Sequence, residues 1–202
     1  MKTYPSIPRF SGKSRDLYTF DKLDGSNLRF EWTKKKGWHK FGTRKRLFDE
    51  TDIIFGSAIP LFMESLSEPI GKVFADKNWQ KTIVFVEFWG HESFAGVHIE
   101  DDPKFLTVID ISIHRLGMLP PKEFLTYFEE FGPAYLGYHR WNKEFVDLVH
   151  SGESDLSISF EGIVGKTMQK NVMVMYKAKT REWINKVRRS YNALEAQEII
   201  DS

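Results

Sequence analysis

The chain has 202 residues, 41% of them hydrophobic, which is enough apolar material for one substantial core. Its 29 Lys and Arg residues almost balance 28 Asp and Glu residues, which excludes a general attraction to polyanions and leaves only a local basic surface. The absence of cysteine excludes disulfides, thiolate nucleophiles and cysteine-based zinc or iron–sulfur sites.

The spacing of apolar residues predicts the secondary structure in chain order. Strands are expected in these segments: 17–20, 28–32, 38–43, 83–90, 105–114, 157–166 and 172–178. Helices are expected at 59–79 with an interruption near Pro69, at 120–131, at 142–150 and from about residue 181 onward.

This order of elements predicts an α+β fold with mostly antiparallel sheets flanked by helices. No internal repeat, low-complexity segment or clear linker interrupts the sequence, so we expect one compact domain over residues 1–202. No apolar stretch approaches the roughly 20 residues that span a bilayer. We therefore expect a cytoplasmic protein with no membrane partner.

The run Lys22-Leu23-Asp24-Gly25-Ser26-Asn27 is predicted to form a tight polar turn between the strands at 17–20 and 28–32, with the amine of Lys22 at a strand end. This arrangement suits attack by Lys22 on a nucleotide α-phosphate. An amine is protonated near neutrality, so it becomes a nucleophile when burial or nearby positive charge lowers its pKa. We expect Lys166, Lys177 and Lys179 to supply that charge, and the last two share one strand face by two-residue alternation.

Two acids stand alone in apolar strands, Glu87 in the segment 83–90 and Asp110 in the segment 105–114. A buried carboxylate requires a partner. For Glu87 the alternatives are a contact to a ligand hydroxyl and a buried structural ion pair.

A basic strip, defined here as residues 34–46, carries Lys and Arg residues but no acid, interleaved with Trp38, His39 and Phe41. It is the best candidate for a surface that faces nucleic-acid phosphates. The alternative is a solvated hairpin that only aids solubility.

Several motifs, taken together and in order, resemble those of the covalent nucleotidyltransferase superfamily, which holds ATP-dependent ligases and capping enzymes. They are Lys22-x-Asp24-Gly25, Arg44, Glu87 with Gly90, Asp110, Glu161-Gly162-Ile163-Val164 and Lys177-x-Lys179. The Ser26-Asn27 extension and Lys166, five residues after Glu161, look most like the phage-type ATP-dependent RNA ligases. The likeness spans nearly the whole chain and implies an ATP-grasp-like nucleotidyltransferase domain.

The resemblance implies a ligation cycle used in RNA repair. Lys22 attacks ATP to give lysyl-AMP, AMP moves to an RNA 5′-phosphate, and a 3′-hydroxyl end displaces it. Glu161 is then the contact to Mg²⁺, with Mn²⁺ as a substitute, while water and phosphate oxygens complete the coordination. Lys166, Lys177 and Lys179 surround the phosphates and stabilise the charge of the transition state.

The same resemblance implies which residues bind the nucleotide. Asp21 faces the adenine amino group, Asp24 and Gly25 belong to the nucleophile motif, and Asn27 binds phosphate or orients the 5′ end. Arg44 approaches the ribose or the phosphate end, with Lys45 or Arg46 as alternatives, and Glu87 accepts a hydrogen bond from a ribose hydroxyl. Where relatives commonly carry an aromatic residue just before Asp110, this chain has Ile109, so we expect an aliphatic cover over the base.

Other interpretations remain open from the sequence. They are an ATP-dependent DNA or polynucleotide ligase, a capping enzyme that uses GTP, and a noncatalytic nucleic-acid-binding remnant of the fold. A P-loop is excluded, because Gly165-Lys166-Thr167 lacks the required glycine at the position of Phe160. Only about 20 residues follow Lys179, so we expect a bare catalytic domain without an appended C-terminal domain, whose sealing activity is slow or depends on an accessory protein.

Overall fold

A computed structural model describes residues 2–201 of the chain, and within them strands and helices alternate. The strands are β1 Arg15–Lys22, β2 Ser26–Thr33, β3 Gly37–Thr43, β4 Leu47–Phe48, β5 Lys81–Gly90, β6 Lys104–Ile113, β7 Gly117–Met118, β8 Tyr135–Trp141, β9 Gly162–Gln169 and β10 Val172–Lys179. The helices are α1 Ala58–Ser65, α2 Ser67–Asp76, α3 Pro121–Phe128, α4 Lys143–Ser151, α5 Arg181–Ser190 and α6 Ala193–Asp201. A 3₁₀ turn, Glu129–Phe131, follows α3.

The predicted α+β class is confirmed, because the strands pair antiparallel in two sheets among these residues. The chain divides into two compact units, a first unit of residues 2–4 and 25–132 and a second unit of residues 5–24 and 133–201. No helix in the described range is both long and apolar enough to cross a membrane.

The first unit is built on a six-stranded sheet with the order β4-β3-β2-β5-β6-β7. The nearly apolar run of β5 lies at its centre, as expected for a strand that is covered on both faces. Aromatic side chains join the helices to the sheet. The ring of Phe30 of β2 stacks on that of Phe62 of α1 with centroids 4.1 Å apart, and the rings of Trp32 and Phe74 of α2 have centroids 5.4 Å apart. These contacts fix the framework that carries Glu87.

The second unit is built on a four-stranded sheet with the order β10-β9-β1-β8. One face packs against α4 through a cluster of buried side chains: Leu17, Trp141, Val149, Ile163 and Ala178. Because side chains alternate across a strand, the neighbours of these residues point to the opposite face. That opposite face carries Lys22, Lys166, Lys177 and Lys179, so the apolar pattern of the strands also positions the lysines.

Two sequence predictions at strand ends were wrong. Strands β1 and β2 do not form a hairpin around the lysine turn, because β1 pairs with β8 and β9 whereas β2 pairs with β3 and β5. The predicted strand 157–166 begins only at Gly162. Ser159 instead donates its backbone N–H to Oδ1 of Asp21 at 3.0 Å. A side-chain acceptor therefore takes the place of a partner strand at this residue.

The segment 59–79 is interrupted near Pro69 as predicted, whereas the break in the last helix was not predicted. The segment 59–79 breaks at Leu66, and Pro69 lies in the first turn of α2, where its missing N–H leaves no helical hydrogen bond unmade. The last helix breaks at Tyr191, which is extended. Asn192 then caps α6, because its Oδ1 accepts the backbone N–H of Glu195 at 3.0 Å.

Candidate active site

Lys22, the predicted nucleophile, ends β1 on the lysine-bearing face of the four-stranded sheet. Its side chain is 21% exposed, and Nζ donates to Oε2 of Glu161 at 2.6 Å. In the register of the sheet, Lys22 lies opposite Gly162, and Gly162 lies opposite Lys179. One row across three strands therefore brings the amine, the acid and a second lysine together.

Gly162 explains how Glu161 comes so close to both lysines. Its φ is +149°, a conformation that favours glycine, and a Cβ atom there would overlap the carbonyl oxygen of Ala178. Because that atom is absent, β9 begins tight against the end of β10. The glycine of the Glu161-Gly162 motif thus has a packing role.

Both carboxylate oxygens of Glu161 hold lysines. Oε1 accepts from Nζ of Lys179 at 2.9 Å, while Oε2 accepts from Lys22, and the Glu161 side chain is only 4% exposed. Burial alone would raise the pKa of Glu161, but the ammonium groups of Lys22 and Lys179 outweigh burial and lower that pKa. Glu161 is therefore an ionised, buried acid.

The lysines of β10 are buried as well. The pKa of Lys177 is lowered to about 8, mainly by burial and then by the positive charges of Lys179 and Lys22, which act against the attraction of Glu161. Burial is also the largest cause that lowers the pKa of Lys179, where Glu161 opposes it and the charge of Lys22 adds to it. The charge of Lys22 therefore acts on both lysines of β10.

Lys166 extends the row of cations along the same face. It is 3% exposed and lies opposite Tyr18 of β1 and Met175 of β10. Its Nζ atom lies 5.0 Å from the centre of the Phe20 ring, within the range of a cation–π contact.

Trp183 of α5 contacts two of the predicted residues. Its Nε1 donates to Oδ2 of Asp24 at 2.6 Å, and Nζ of Lys179 lies 4.0 Å from the centre of its ring. Thr180 fixes the start of this helix, because its hydroxyl accepts the backbone N–H of Trp183 at 3.2 Å. Trp183 is thus the physical link between the nucleophile motif and the lysine pair.

The end of α6 also contacts the lysine pair. Lys177 Nζ donates to the backbone oxygen of Asp201 at 2.8 Å, and Lys179 Nζ donates to that of Ile199 at 3.2 Å. Two hydrogen bonds therefore join β10 to α6.

Asp21 lies on the opposite face of β1 from Lys22. It is buried, accepts the backbone N–H of Ser159, and has a pKa that burial raises above the ordinary value. The contact with Ser159 is a structural role for Asp21. Its contact with adenine stays a prediction.

The first unit brings together Asn27 and Glu87, which lie opposite each other on β2 and β5. Asn27 Nδ2 is buried and has no hydrogen-bond partner among the described residues. Such a donor usually meets an acceptor, so it is a point where a ligand oxygen would be favoured. Gly25 allows the turn before β2 to pack on β5, since a Cβ there would overlap the carbonyl oxygen of Phe88.

Asp110 is buried on β6 and accepts a hydrogen bond from the hydroxyl of Tyr4 at 2.5 Å. Burial raises the pKa of Tyr4 well above its ordinary value, and the Asp110 carboxylate adds to that rise. The charge of Glu87 also raises the pKa of Tyr4, whereas the charge of Arg44 lowers it. Arg46, one alternative to Arg44, forms an ion pair with Asp52 instead.

Ile109 is the extra residue of a β-bulge. Phe85 lies opposite Asp110, but the next residue of β5, Val86, lies opposite Val108, so β6 has one more residue at this step. Bulges re-aim side chains and are frequent beside active sites. Ile109 is half-buried.

Solved structures of ATP-dependent RNA ligases resemble this chain. An archaeal ATP-dependent RNA ligase matches with a TM-score of 0.67 and 13% identity, over 99% of this chain and 56% of that chain. The Naegleria gruberi RNA ligase with PPi matches with a TM-score of 0.61 and 13% identity, over 87% and 52%. A mutant of the Naegleria gruberi ligase with ATP and Mn matches with a TM-score of 0.60 and 13% identity, over 85% of this chain and 51% of that chain. No family model and no curated protein sequence matches.

The chain has the RNA ligase fold. The predicted resemblance to covalent nucleotidyltransferases of the RNA ligase type is therefore confirmed for the fold. The chain spans about half the length of the ligases it matches.

On this ligase fold, the predicted metal contact is a single acid. No three His, Asp or Glu side chains form a metal-binding group anywhere in residues 2–201. Glu161 fits as one ligand of a hard cation, because each carboxylate oxygen keeps a lone pair beside its lysine hydrogen bond. The other ligands must then come from a substrate and from water.

Sequence reasoning missed three contacts of this ligase fold: Trp183 with Asp24, Tyr4 with Asp110, and the end of α6 with the lysine pair. A tryptophan four residues after Lys179 has the same pattern as a core residue of an amphipathic helix, so no local signal distinguishes its role. Tyr4 and Asp110 are 106 residues apart.

Proposed function

We propose that this protein is an ATP-dependent RNA ligase, which joins 5′-phosphate and 3′-hydroxyl ends through a lysyl-AMP intermediate and an adenylylated polynucleotide. The observation that carries the proposal is the row in which Lys22 and Lys179 both bind the buried carboxylate of Glu161. A plain turn would leave Lys22 solvated. Here the amine lies against a buried acid and close to further cations, which supports the proposed chemistry.

In the first step, the Nζ lone pair of Lys22 attacks the α-phosphorus of ATP. A phosphorus–nitrogen bond forms, the α–β bridging oxygen leaves with the electron pair of its bond as pyrophosphate, and the amine proton passes to solvent. Glu161 favours the charged form of Lys22, whereas Lys177 and Lys179 favour the neutral form. Their balance sets the pH at which the amine reacts.

Lys166, Lys177 and Lys179 bind phosphate oxygens in this proposal and stabilise the negative charge that develops there. Glu161 would hold Mg²⁺, or Mn²⁺, and a bound cation supplies neutralisation of phosphate charge. Adenine nucleotides and manganese accompany the Naegleria gruberi ligase in its structures, which supports ATP and a divalent cation here.

The resemblance implies further nucleotide contacts, which we include in the proposal. The buried Nδ2 of Asn27 is a donor for a phosphate or hydroxyl oxygen, and Glu87 opposite it is an acceptor for a ribose hydroxyl. The bulged Ile109 would cover the base, and Arg44 would approach the ribose or the phosphate end. Contact of Asp21 with the adenine amino group remains part of the proposal, and in the structure its carboxylate accepts the N–H of Ser159.

RNA ends are the proposed substrate, and DNA ends and an accessory protein are the alternatives to be tested. The decisive experiment first incubates the protein with labelled ATP or GTP and Mg²⁺, then supplies 5′-phosphorylated RNA or DNA. We expect covalent label from ATP, transfer to RNA, and joining to a 3′-hydroxyl end. Label from GTP alone would contradict ligation, and transfer to DNA but not RNA would contradict the RNA assignment.

A further inference from the structure

Three tyrosines lie together on the lysine-bearing face of the four-stranded sheet, where β1 pairs with β8. Tyr18 of β1 lies opposite Tyr138 of β8, and the centroids of their rings are 4.8 Å apart. The ring centroid of Tyr135, at the start of β8, lies 6.2 Å from that of Tyr18 and 5.5 Å from that of Phe20. Tyr18, Tyr135 and Tyr138, called here the tyrosine cluster, therefore form a continuous aromatic surface.

The tyrosine cluster is open to solvent at the edge of the sheet. Tyr138 is 57% exposed, whereas Tyr18 and Tyr135 are half-buried. The strand order of the sheet ends at β8. The apolar core of this unit, with Leu17 and Trp141, lies on the opposite face, so the ring of Tyr138 points away from it. A group of aromatic rings exposed in this way is typical of a binding surface.

Cations accompany the aromatic rings on this face. Lys166 of β9 lies opposite Tyr18, so one row across three strands runs from this lysine to Tyr138. Arg140 follows Tyr138 by two residues on β8 and shares its face. The Arg140 side chain is 60% exposed, and Nη1 lies 3.2 Å from Oδ2 of Asp16. A guanidinium has five N–H donors, so this ion pair leaves donors for a phosphate.

Aromatic rings beside cations are the combination that binds single-stranded nucleic acid, because bases stack on the rings and phosphates approach the cations. A second copy of this chain on the same face would instead bring its own cations against these, which is unfavourable. Tyr18 precedes Lys22 by four residues on β1. Four residues of a strand span about 13 Å, which is the length of about four stacked nucleotides.

We propose that the tyrosine cluster binds unpaired bases of the 5′-phosphorylated RNA strand, within the first few nucleotides of the end that reacts, and that Arg140 contacts the phosphates of the same strand. This inference rests on the proposed function for the identity of the strand. It adds a base-stacking surface that no motif indicates. Tyr138, the most exposed ring of the cluster, has the largest share of the contact.

The test measures binding of a short 5′-phosphorylated single-stranded RNA to the full chain by fluorescence anisotropy, without ATP. Tyr138→Ala should weaken binding at least about 5-fold, because the stacking of one base is lost, whereas Tyr138→Phe should bind like the unsubstituted chain. Tyr127→Ala is the matched control, since Tyr127 of α3 is a partly exposed tyrosine beside the cation of Lys77, and it should leave binding unchanged. Equal binding by Tyr138→Ala and the unsubstituted chain would overturn the proposal.

Abasic nucleotides separate base stacking from other contacts. Placed next to the 5′-phosphate, they should weaken binding to the unsubstituted chain and abolish its advantage over Tyr138→Ala. Placed at the far end of the RNA, they should leave that advantage intact. An advantage that persists with the abasic 5′ end would overturn stacking at this end. The slope of log K against log salt should be the same in Tyr138→Ala, because no phosphate contact is lost, and a smaller slope would contradict the proposal.

Sedimentation of the free chain tests a second copy as the occupant of the tyrosine cluster. We expect a monomer, and a dimer that Tyr138→Ala dissociates would overturn the proposal. A chain that shows the expected dependence on bases but takes no label from ATP would support the tyrosine cluster and contradict the ligase proposal, so the two failures are distinguishable. Thermal unfolding of each variant identifies any loss of binding that comes from a loss of fold.

Discussion

Lys22 and Glu161 are 139 residues apart in the chain, yet Nζ of the one donates to Oε2 of the other at 2.6 Å. The pair closes the row that ends with Lys179, so one buried acid holds both the proposed nucleophile and a proposed phosphate ligand. Removing either lysine leaves a partly compensated buried charge. Removing the acid leaves two ammonium groups facing each other.

We expect Glu161→Ala to lower the free energy of unfolding by about 3–5 kcal/mol, the cost of breaking a buried ion pair. Glu161→Gln should cost less, because the amide oxygen still accepts one lysine hydrogen bond. Urea unfolding at neutral pH measures both. Glu153→Ala, at an exposed acid of the same unit, is the control and should have little effect.

Low pH should remove the stabilisation that the ion pairs of Glu161 provide. The pKa of Glu161 is lower in the folded chain than its ordinary 4.5, so its contribution is present above 4.5 and is lost as pH falls through the lowered pKa. The difference in stability between the unsubstituted chain and Glu161→Gln should therefore shrink as pH falls below 4.5. A difference that stays constant down to pH 2 would contradict this prediction.

Lys177 should make stability rise with pH as Glu161 does, but in the alkaline range. Its pKa falls from an ordinary 10.5 to about 8, so between these values the folded chain binds fewer protons than the unfolded chain. Stability should then rise with pH from about 8 to 10.5 on account of this group. In Lys177→Met the rise should be absent, whereas Lys13→Met should retain it, as measured by urea unfolding across that pH range.

Much of the second unit could be predicted because its strands alternate clearly. The positions of Lys177 and Lys179 on one face followed from their spacing, and the structure has them there. Strand β8 could not be predicted, because it is an edge strand whose half-exposed residues include Gly137 and His139 and lack the apolar alternation of a covered strand.

The contacts that arrange the site could not be read from local patterns. Trp183 reaches Asp24 across 159 residues, and Lys177 reaches the end of α6 across a helix break at Tyr191. Side-chain periodicity predicts which face a residue occupies, whereas partners on that face depend on how separate elements pack. The candidate residues could be proposed from motif spacing, whereas their contact partners are known only from the tertiary fold.

Trp183 should act as a positioning residue for Asp24. Trp183→Phe keeps an aromatic ring for Lys179 but removes the N–H that donates to the Asp24 carboxylate, a contact of the kind worth about 1.5–3 kcal/mol. We expect slower covalent labelling by ATP at saturating nucleotide, with a smaller change in the ATP concentration for half-maximal rate.

A double-mutant cycle provides the control for this prediction. Asp24→Asn should slow labelling similarly, and the double variant should be no slower than the more affected single variant, since both remove one interaction. Additive effects of the two substitutions would show that Trp183 acts through packing alone.

The basic strip should contribute phosphate contacts. Lys35 and Lys36 are exposed at the β2–β3 turn, so replacing both with Gln should lower the slope of log K against log salt for single-stranded RNA by about 1.4, or about 0.7 for each contact. The pair Lys72→Gln and Lys122→Gln, exposed on helices of the same unit, is the control. An equal slope in both double variants would contradict a specific role for the strip.

The most direct test of the account is intact-mass analysis, with peptide mapping, after incubation with ATP and Mg²⁺. We predict one AMP adduct per chain, located on Lys22, that is absent from Lys22→Ala and from Lys22→Arg and retained in Lys143→Ala, a variant at an exposed lysine of the same unit. No adduct at any pH between 6 and 9, or an adduct that persists in Lys22→Ala, would contradict the proposal that Lys22 captures the nucleotide.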